Sequence, residues 1–216
     1  MIAYQIVSLN VGKPQVYSIE GKELETGFIK KPVDHANYLT FTGFEHDGQA
    51  DRKNHGGPEK ALLMYAKEHY SFWQKKYDQT FDYPAFGENI TIAGLTEEAL
   101  YIGDVFTLGE AEIQVSQPRR PCYKIARVHG IPDMPAIVTE TGFSGYYFRV
   151  LKEGWVKPSD TLVKTKEAPD KVTPKDIFYC LYHDRINKDK MEEYSQINAL
   201  APNVKESLIK RIKKIG

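Results

Sequence analysis

The chain has 216 residues, of which 41% are hydrophobic and 27% charged. That is ordinary for a soluble globular protein with one substantial core, or a main domain with a small appendage. Lys+Arg and Asp+Glu balance at 29 each, so no global charge argues for a nucleic-acid or membrane partner. No stretch reaches the length of a membrane-spanning helix, since even "KALLMYA" runs straight into Lys67, Glu68 and His69. The opening "MIAYQIVSLNVG" lacks a basic lead, a long apolar run and a cleavage site, so no signal peptide is expected. Cys122 and Cys180 stand far apart and outside any CxxC pattern, which argues against a structural disulfide and a four-ligand zinc site. The six histidines include no HExxH and no close pair, which disfavours a His-ligated zinc. These features point to a cytoplasmic chain with reduced thiols.

In chain order, the first 120 or so residues read mostly as short strands. "QIVSLNVG" and "QVYSI" flank a turn at "KP". "YLTFTGF", "ENITIAGL" and "DVFTLGEAEIQVSQ" are β-branched or aromatic runs broken by glycines, the last reading as a hairpin that turns at Gly109 and Glu110. "AKEHYSFWQKKY" interrupts with His69, Phe72, Trp73 and Tyr77 at helical spacing. "CYKIARVHG" and "MPAIVTETG" each run to a helix-stopping glycine, Gly130 and Gly142. "GYYFRVLKEG" and "DTLVKTKE" return to strand. Many short strands with few helices suggest a mainly β barrel, whose closure removes exposed sheet edges. It is expected to occupy residues 1 to about 166.

After "KEAPD" the texture turns helical. "TPKDIFYCLYHD" opens with Thr173, Pro174 and Asp176, a variant capping box with proline at the first helical position. "KDKMEEYSQINAL" places Met191, Tyr194 and Ile197 at three-residue steps. "NVKESLIKRIKKIG" carries Val204, Leu208, Ile212 and Ile215 as one apolar stripe. A three-helix unit is expected from about residue 172 to 216. Its net charge is +3, which reads as solvated helix faces.

Three segments carry candidate chemistry. "FEHDGQADRKNHGGPEKAL", residues 44 to 62, joins the turn-making pairs Asp47-Gly48 and Gly56-Gly57 to the cationic Arg52, Lys53, His55 and Lys60. Backbone N–H groups at glycines form anion-binding nests, so a phosphate is a natural guest, although a solvated hairpin loop explains the same residues. In "PAFGENI", Glu88 could orient a histidine or bind a ligand amide, and Asn89 could simply satisfy backbone at a strand entry. "QPRRPCYKI" sets Cys122 among Arg119, Arg120 and Lys124, with Pro118 and Pro121 stiffening its approach. That positive setting favours thiolate, and a helix starting near Cys122 would favour it further. Such a thiolate attacks an electrophile, carries sulfur or ligates a soft transition metal. Cys180, inside the helical "DIFYCLYH", reads as packing.

Taken in this order, "HDGQAD", "HGGPEKAL", "FGENI", the "GD-F--G-A-IQVSQPR-PCYKI" run and the helical tail resemble the MOSC family (molybdenum cofactor sulfurase C-terminal domain). The nearest group is the small standalone bacterial members linked to resistance to N-hydroxylated purines such as hydroxylaminopurine. His46 stands where that pattern has a glycine. The resemblance covers nearly the whole chain. It implies a β-barrel whose cleft binds molybdenum cofactor (Mo-molybdopterin), with Mo held by Cys122, the expected catalytic residue. It also implies reduction of N-hydroxylated compounds with electrons from a separate flavin-dependent reductase, and no GxGxxG follows a strand here to suggest a built-in donor site. On this reading Asp47, His55, Gly56, Gly57, Lys60, Glu88, Asn89, Arg119 and Lys124 bind the cofactor. Two other readings fit the same residues: a sulfur carrier bearing a Cys122 persulfide, and a protein that stores the cofactor without turnover.

Overall fold

The protein was analysed as a computed structural model, which describes residues 2–19, 21–51 and 56–215. Seven strands close into a barrel: β1 (Ala3–Val11), β7 (Leu62–Ala66), β8 (Ile90–Ile92), β9 (Val105–Leu108), β10 (Ala111–Pro118), β11 (Tyr146–Lys152) and β13 (Thr161–Lys166). Their order is β13-β9-β10-β11-β7-β8-β1, and β1 closes the ring by pairing Ala3 with Val163 of β13. Only β7 and β8 run parallel; the other barrel pairs are antiparallel. The β9–β10 hairpin turns at Gly109-Glu110 as its sequence predicts, with Leu108 facing Ala111.

Smaller pieces decorate this ring. β2 (Gln15–Ile19) and β3 (Lys22–Thr26) form a ribbon, and β4 (Lys31–Pro32) extends β1. β5 (Asn37–Thr40), β6 (Gly43–Phe44) and β12 (Gly154–Val156) form a three-stranded sheet. "YLTFTGF" is therefore two strands hinged at Phe41-Thr42 rather than one. β7 is a strand that alternation does not reveal: all five of its residues are buried, and such a run reads equally as a buried helix.

Six helices occur among the described residues: α1 (Glu68–Tyr77), α2 (Lys124–His129), α3 (Met134–Thr141), α4 (Pro174–Tyr182), α5 (Lys188–Ser195) and α6 (Pro202–Ile215). Gly130 and Gly142 end α2 and α3 in the left-handed conformation. Thr173 and Asp176 make the reciprocal capping box of α4. In α6, Val204 and Leu208 are buried while Ile215, placed by periodicity on the same stripe, is 41% exposed in the last turn.

Strand alternation divides the apolar residues between two cores. Met64, Phe106, Ile113, Tyr146, Phe148 and Leu162 fill the barrel, and the same cluster continues into Ile177, Met191, Val204 and Leu208 of the C-terminal helices. Tyr65, facing out of the barrel, starts a second cluster with Tyr70, Trp73, Phe86, Ile125, Met134 and Val138, beneath α1, α2 and α3. Trp73 is fully buried and its Nε1 donates to the Tyr65 hydroxyl at 2.6 Å. Loss of such an indole costs about 3–5 kcal/mol, so this second core is a rigid backing. A cleft lies at its margin.

Candidate functional site

Several separated parts of the sequence converge on one cleft enclosing about 540 Å³, its open mouth included. One wall is the Thr26–Lys30 stretch with Gly48, Gln49, Ala50 and Asp51. Leu63, Gly87, Asn89 and Tyr147 form the barrel side, and Lys60, Arg119, Cys122 and Lys124 complete the lining. Register explains the barrel side, since Leu63 of β7 pairs with Tyr147 of β11 and both side chains leave the barrel on the same face.

Lys30, Lys60, Arg119 and Lys124 thus line the cleft beside the half-buried Cys122. Arg119 is only 8% exposed, and it is fixed rather than mobile. Its Nη1 donates to the Phe86 carbonyl at 2.6 Å, its backbone N–H to the Gly145 carbonyl at 2.9 Å, and its guanidinium lies 5.6 Å over the Phe28 ring. Gly87 makes that arrangement fit. Its φ is +74°, and a Cβ there would come within 2.9 Å of the Phe28 ring. Burial, helped by the Arg120 charge and opposed by Asp51, holds the Lys60 ammonium below the usual lysine range.

Cys122 lies just ahead of α2 rather than inside it, and its carbonyl accepts from Ile125 N at 3.2 Å. Lys124, the first residue of α2, reaches back to the Glu25 carbonyl at 3.4 Å. Cys180 is fully buried in α4, and burial pushes its thiol up.

Of the residues expected to bind a cofactor, Lys60, Asn89, Arg119 and Lys124 line the cleft with Cys122. His55 lies outside the described residues. Gly56 is half-buried at their edge, and Gly57, at φ +93°, opens the short 3-10 turn Pro58–Lys60.

Asp47 and Glu88 are not among the lining residues; each anchors a loop that forms the cleft. The Asp47 carboxylate, 1% exposed, accepts from Lys30 Nζ, from Gly12 N at 2.9 Å and from Asn89 Nδ2 at 2.8 Å. Asn89 Oδ1 in turn accepts from Leu63 N at 3.1 Å. One buried network therefore pins the Lys30 loop to the strands behind it. Glu88 is wholly buried and accepts from the Tyr70 hydroxyl, from Thr91 Oγ1 at 2.8 Å and from Phe86 N at 2.9 Å. It shapes the turn that carries Gly87.

Sequence reasoning missed Phe28, Lys30 and Tyr147. Lys30 sits in "GFIKKPV", which carries no motif. Its available signal was a lysine in an apolar stretch, a position where lysine is rarely buried without a partner.

The MOSC domain family model matches residues 51–163, just over half of the chain and including Lys60, Asn89, Arg119, Cys122, Lys124 and Tyr147. The chain is 44% identical over 208 residues to the uncharacterized protein YflK of Bacillus subtilis, covering 96% of this chain and 94% of that one. The crystal structure of YiiM from Geobacillus stearothermophilus superposes with a TM-score of 0.84 at 38% identity, covering 97% of this chain and 99% of that one. A Gibberella moniliformis protein named Reductase is 32% identical over 146 residues, 66% of this chain and 26% of its own length. Barrel, cleft and cysteine-bearing loop thus come with matching relatives along almost the whole length, and the chain belongs to the MOSC domain family.

Proposed function

We propose that the chain binds molybdenum cofactor in this cleft, Cys122 ligating Mo, and reduces N-hydroxylated compounds with electrons from a separate flavin-dependent reductase. The observation that carries this reading is the donor set: one soft sulfur among four cationic side chains from three separate segments. A thiolate suits a soft metal, and ammonium and guanidinium groups suit the pterin phosphate. Glycines let the cleft walls pack closely against each other: a Cβ on Gly87 would strike Phe28, and one on Gly27 would come within 2.1 Å of the Gly48 carbonyl. MOSC domains are associated in general with molybdenum cofactor binding, and one relative is named a reductase. The substrate class and the electron donor rest on the sequence resemblance.

When bound, the group supplies a metal centre that takes up and passes on electrons. The net reaction turns R–NH–OH, two electrons and two protons into R–NH2 and water. The chain's own residues bind and orient. Arg119, clamped by Phe86 and Gly145, offers a preset anion contact. Lys60, its charge weakened by burial, gives up a proton more readily than an exposed lysine does. No helix of the described residues is long and apolar enough to cross a membrane.

The test is Mo and pterin analysis of protein from a cofactor-competent host, wild type beside Cys122→Ser, followed by hydroxylaminopurine reduction with a supplied flavin reductase. Stoichiometric Mo and turnover are expected in the wild type, and no turnover in a folded Cys122→Ser. Lys60→Met and Arg119→Met should each lower loading at limiting cofactor, because a charge-assisted contact worth about 1.5–3 kcal/mol is lost. A wild type without Mo that carries a Cys122 persulfide would establish the sulfur-carrier reading instead. Bound Mo without turnover would point to storage.

A further inference from the structure

We propose that the Tyr147 hydroxyl is the substrate-contacting proton donor of this cleft, an inference that rests on the reductase reading. Tyr147 lines the cleft with Cys122 and Arg119. Its neighbour Tyr146 points into the barrel and donates to the Leu95 carbonyl at 2.7 Å, so alternation turns Tyr147 outward onto the cleft. Pairing with Leu63 on one side and Gln117 on the other fixes its place in the wall.

The residue is 7% exposed, so the ring is packed and has little freedom. Tyr65, Tyr70 and Tyr146 all donate their hydroxyl protons to protein oxygens, whereas the Tyr147 hydroxyl has no hydrogen-bond partner among the described residues. The sealed side-chain polar atoms without partners among those residues are Asn37 Oδ1 and Arg127 Nη2. Tyr147 is part of the cleft wall beside Arg119 and Cys122. A buried phenol with an unused donor on the wall of a site is preorganised for a polar group of the ligand.

In the reaction, the phenol O–H proton passes to the departing hydroxyl oxygen as the N–O bond breaks, and water leaves. The two electrons come from the flavoprotein donor and remain on nitrogen, which takes its proton from solvent. Solvent then reprotonates the phenolate.

The experiment compares Mo-loaded wild type with Tyr147→Phe, which keeps the ring and its packing. Mo content should be equal in the two. The turnover number for hydroxylaminopurine should fall about 100-fold, as for loss of a general acid, with KM changed far less. Equilibrium binding to the oxidised protein gives a readout apart from turnover. Wild type should prefer hydroxylaminopurine to adenine, and the variant should lose about threefold to tenfold of that preference, the worth of one neutral hydrogen bond. A Tyr147→Phe protein with full Mo, wild-type turnover and unchanged preference would overturn the inference while leaving the reductase reading intact. A Mo-loaded wild type that reduces no N-hydroxylated compound would overturn the reductase reading, and this inference with it.

Discussion

The two cysteines show how much a side chain's surroundings decide its chemistry. Cys122 is half-buried on the wall of a cleft with four cations, whereas Cys180 is sealed inside α4 with its thiol pushed up by burial. Iodoacetamide should therefore label Cys122 in cofactor-free protein and leave Cys180 untouched until the chain unfolds, as read by peptide mass spectrometry. Cofactor loading should protect Cys122. Cys180→Ser should keep activity per folded molecule and cost about 1–3 kcal/mol, because it buries a hydroxyl where the thiol packed. Faster labelling of Cys180 would contradict this assignment. The contrast was legible in sequence, since "QPRRPCYKI" advertises positive charge and "DIFYCLYH" advertises a helix core. Asp47 and Glu88 were not legible in the same way. A carboxylate beside glycines signals a polar loop, but its partners decide whether it faces a ligand or ties the loop down. Those partners, Lys30 and Tyr70, are distant in sequence or carry no motif.

Elements were read best where a local signal fixes their ends. The capping box at Thr173 is such a signal, with Asp176 N donating to Thr173 Oγ1 at 3.0 Å and Thr173 N to Asp176 Oδ2 at 2.9 Å. Thr173→Ala removes one half of it and leaves α4 with an unsatisfied first turn. A loss of about 1 kcal/mol is expected by urea denaturation, within the usual 0.5–2 for such caps. An unchanged midpoint would mean that packing of Ile177 and Leu181 alone holds the helix start. Thr173→Ser should retain most of the wild-type value. β7 lies at the other extreme. Its residues are buried on both faces, because the barrel core takes Leu62 and Met64 while the second core takes Tyr65. Period-two alternation vanishes there, so burial itself erased the sequence signal. Helix α2 falls between these cases. Gly130 marks its end, but its start at Lys124 carries no side-chain cap, so its separation from Cys122 was not fixed by sequence.

Across the whole molecule, one side chain ties the site loop, the barrel and the C-terminal helices together. Arg149 projects from β11, and its guanidinium is held along its edges by hydrogen bonds. Nε meets both Glu59 carboxylate oxygens at 3.1 Å, Nη1 donates to Gln114 Oε1 at 2.7 Å, and Nη2 donates to the Ala199 carbonyl at 2.7 Å. Glu59 stands in the 3-10 turn immediately before Lys60, and Ala199 lies between α5 and α6. The barrel's apolar cluster also runs unbroken into those helices, so their docking has both a greasy and a polar part. Arg149→Met keeps the apolar stem and removes the polar part, leaving Glu59 without its guanidinium. The pair is partly exposed, at 16% and 30%, so the loss belongs near the lower end for a charged hydrogen-bond set, about 2 kcal/mol. For a chain of this size that lowers Tm by about 4–8 °C. Hydrogen exchange separates this coupling from plain destabilisation. Amides at 56–60 and 199–201 should both exchange faster in Arg149→Met, while those of β9 and β10 away from Gln114 stay protected. Cofactor loading at limiting supply should fall with them, because Lys60 would then sit on a loosened turn. Faster exchange in only one of the two segments would mean that Arg149 braces that segment alone, and that the helices hold to the barrel through their apolar face.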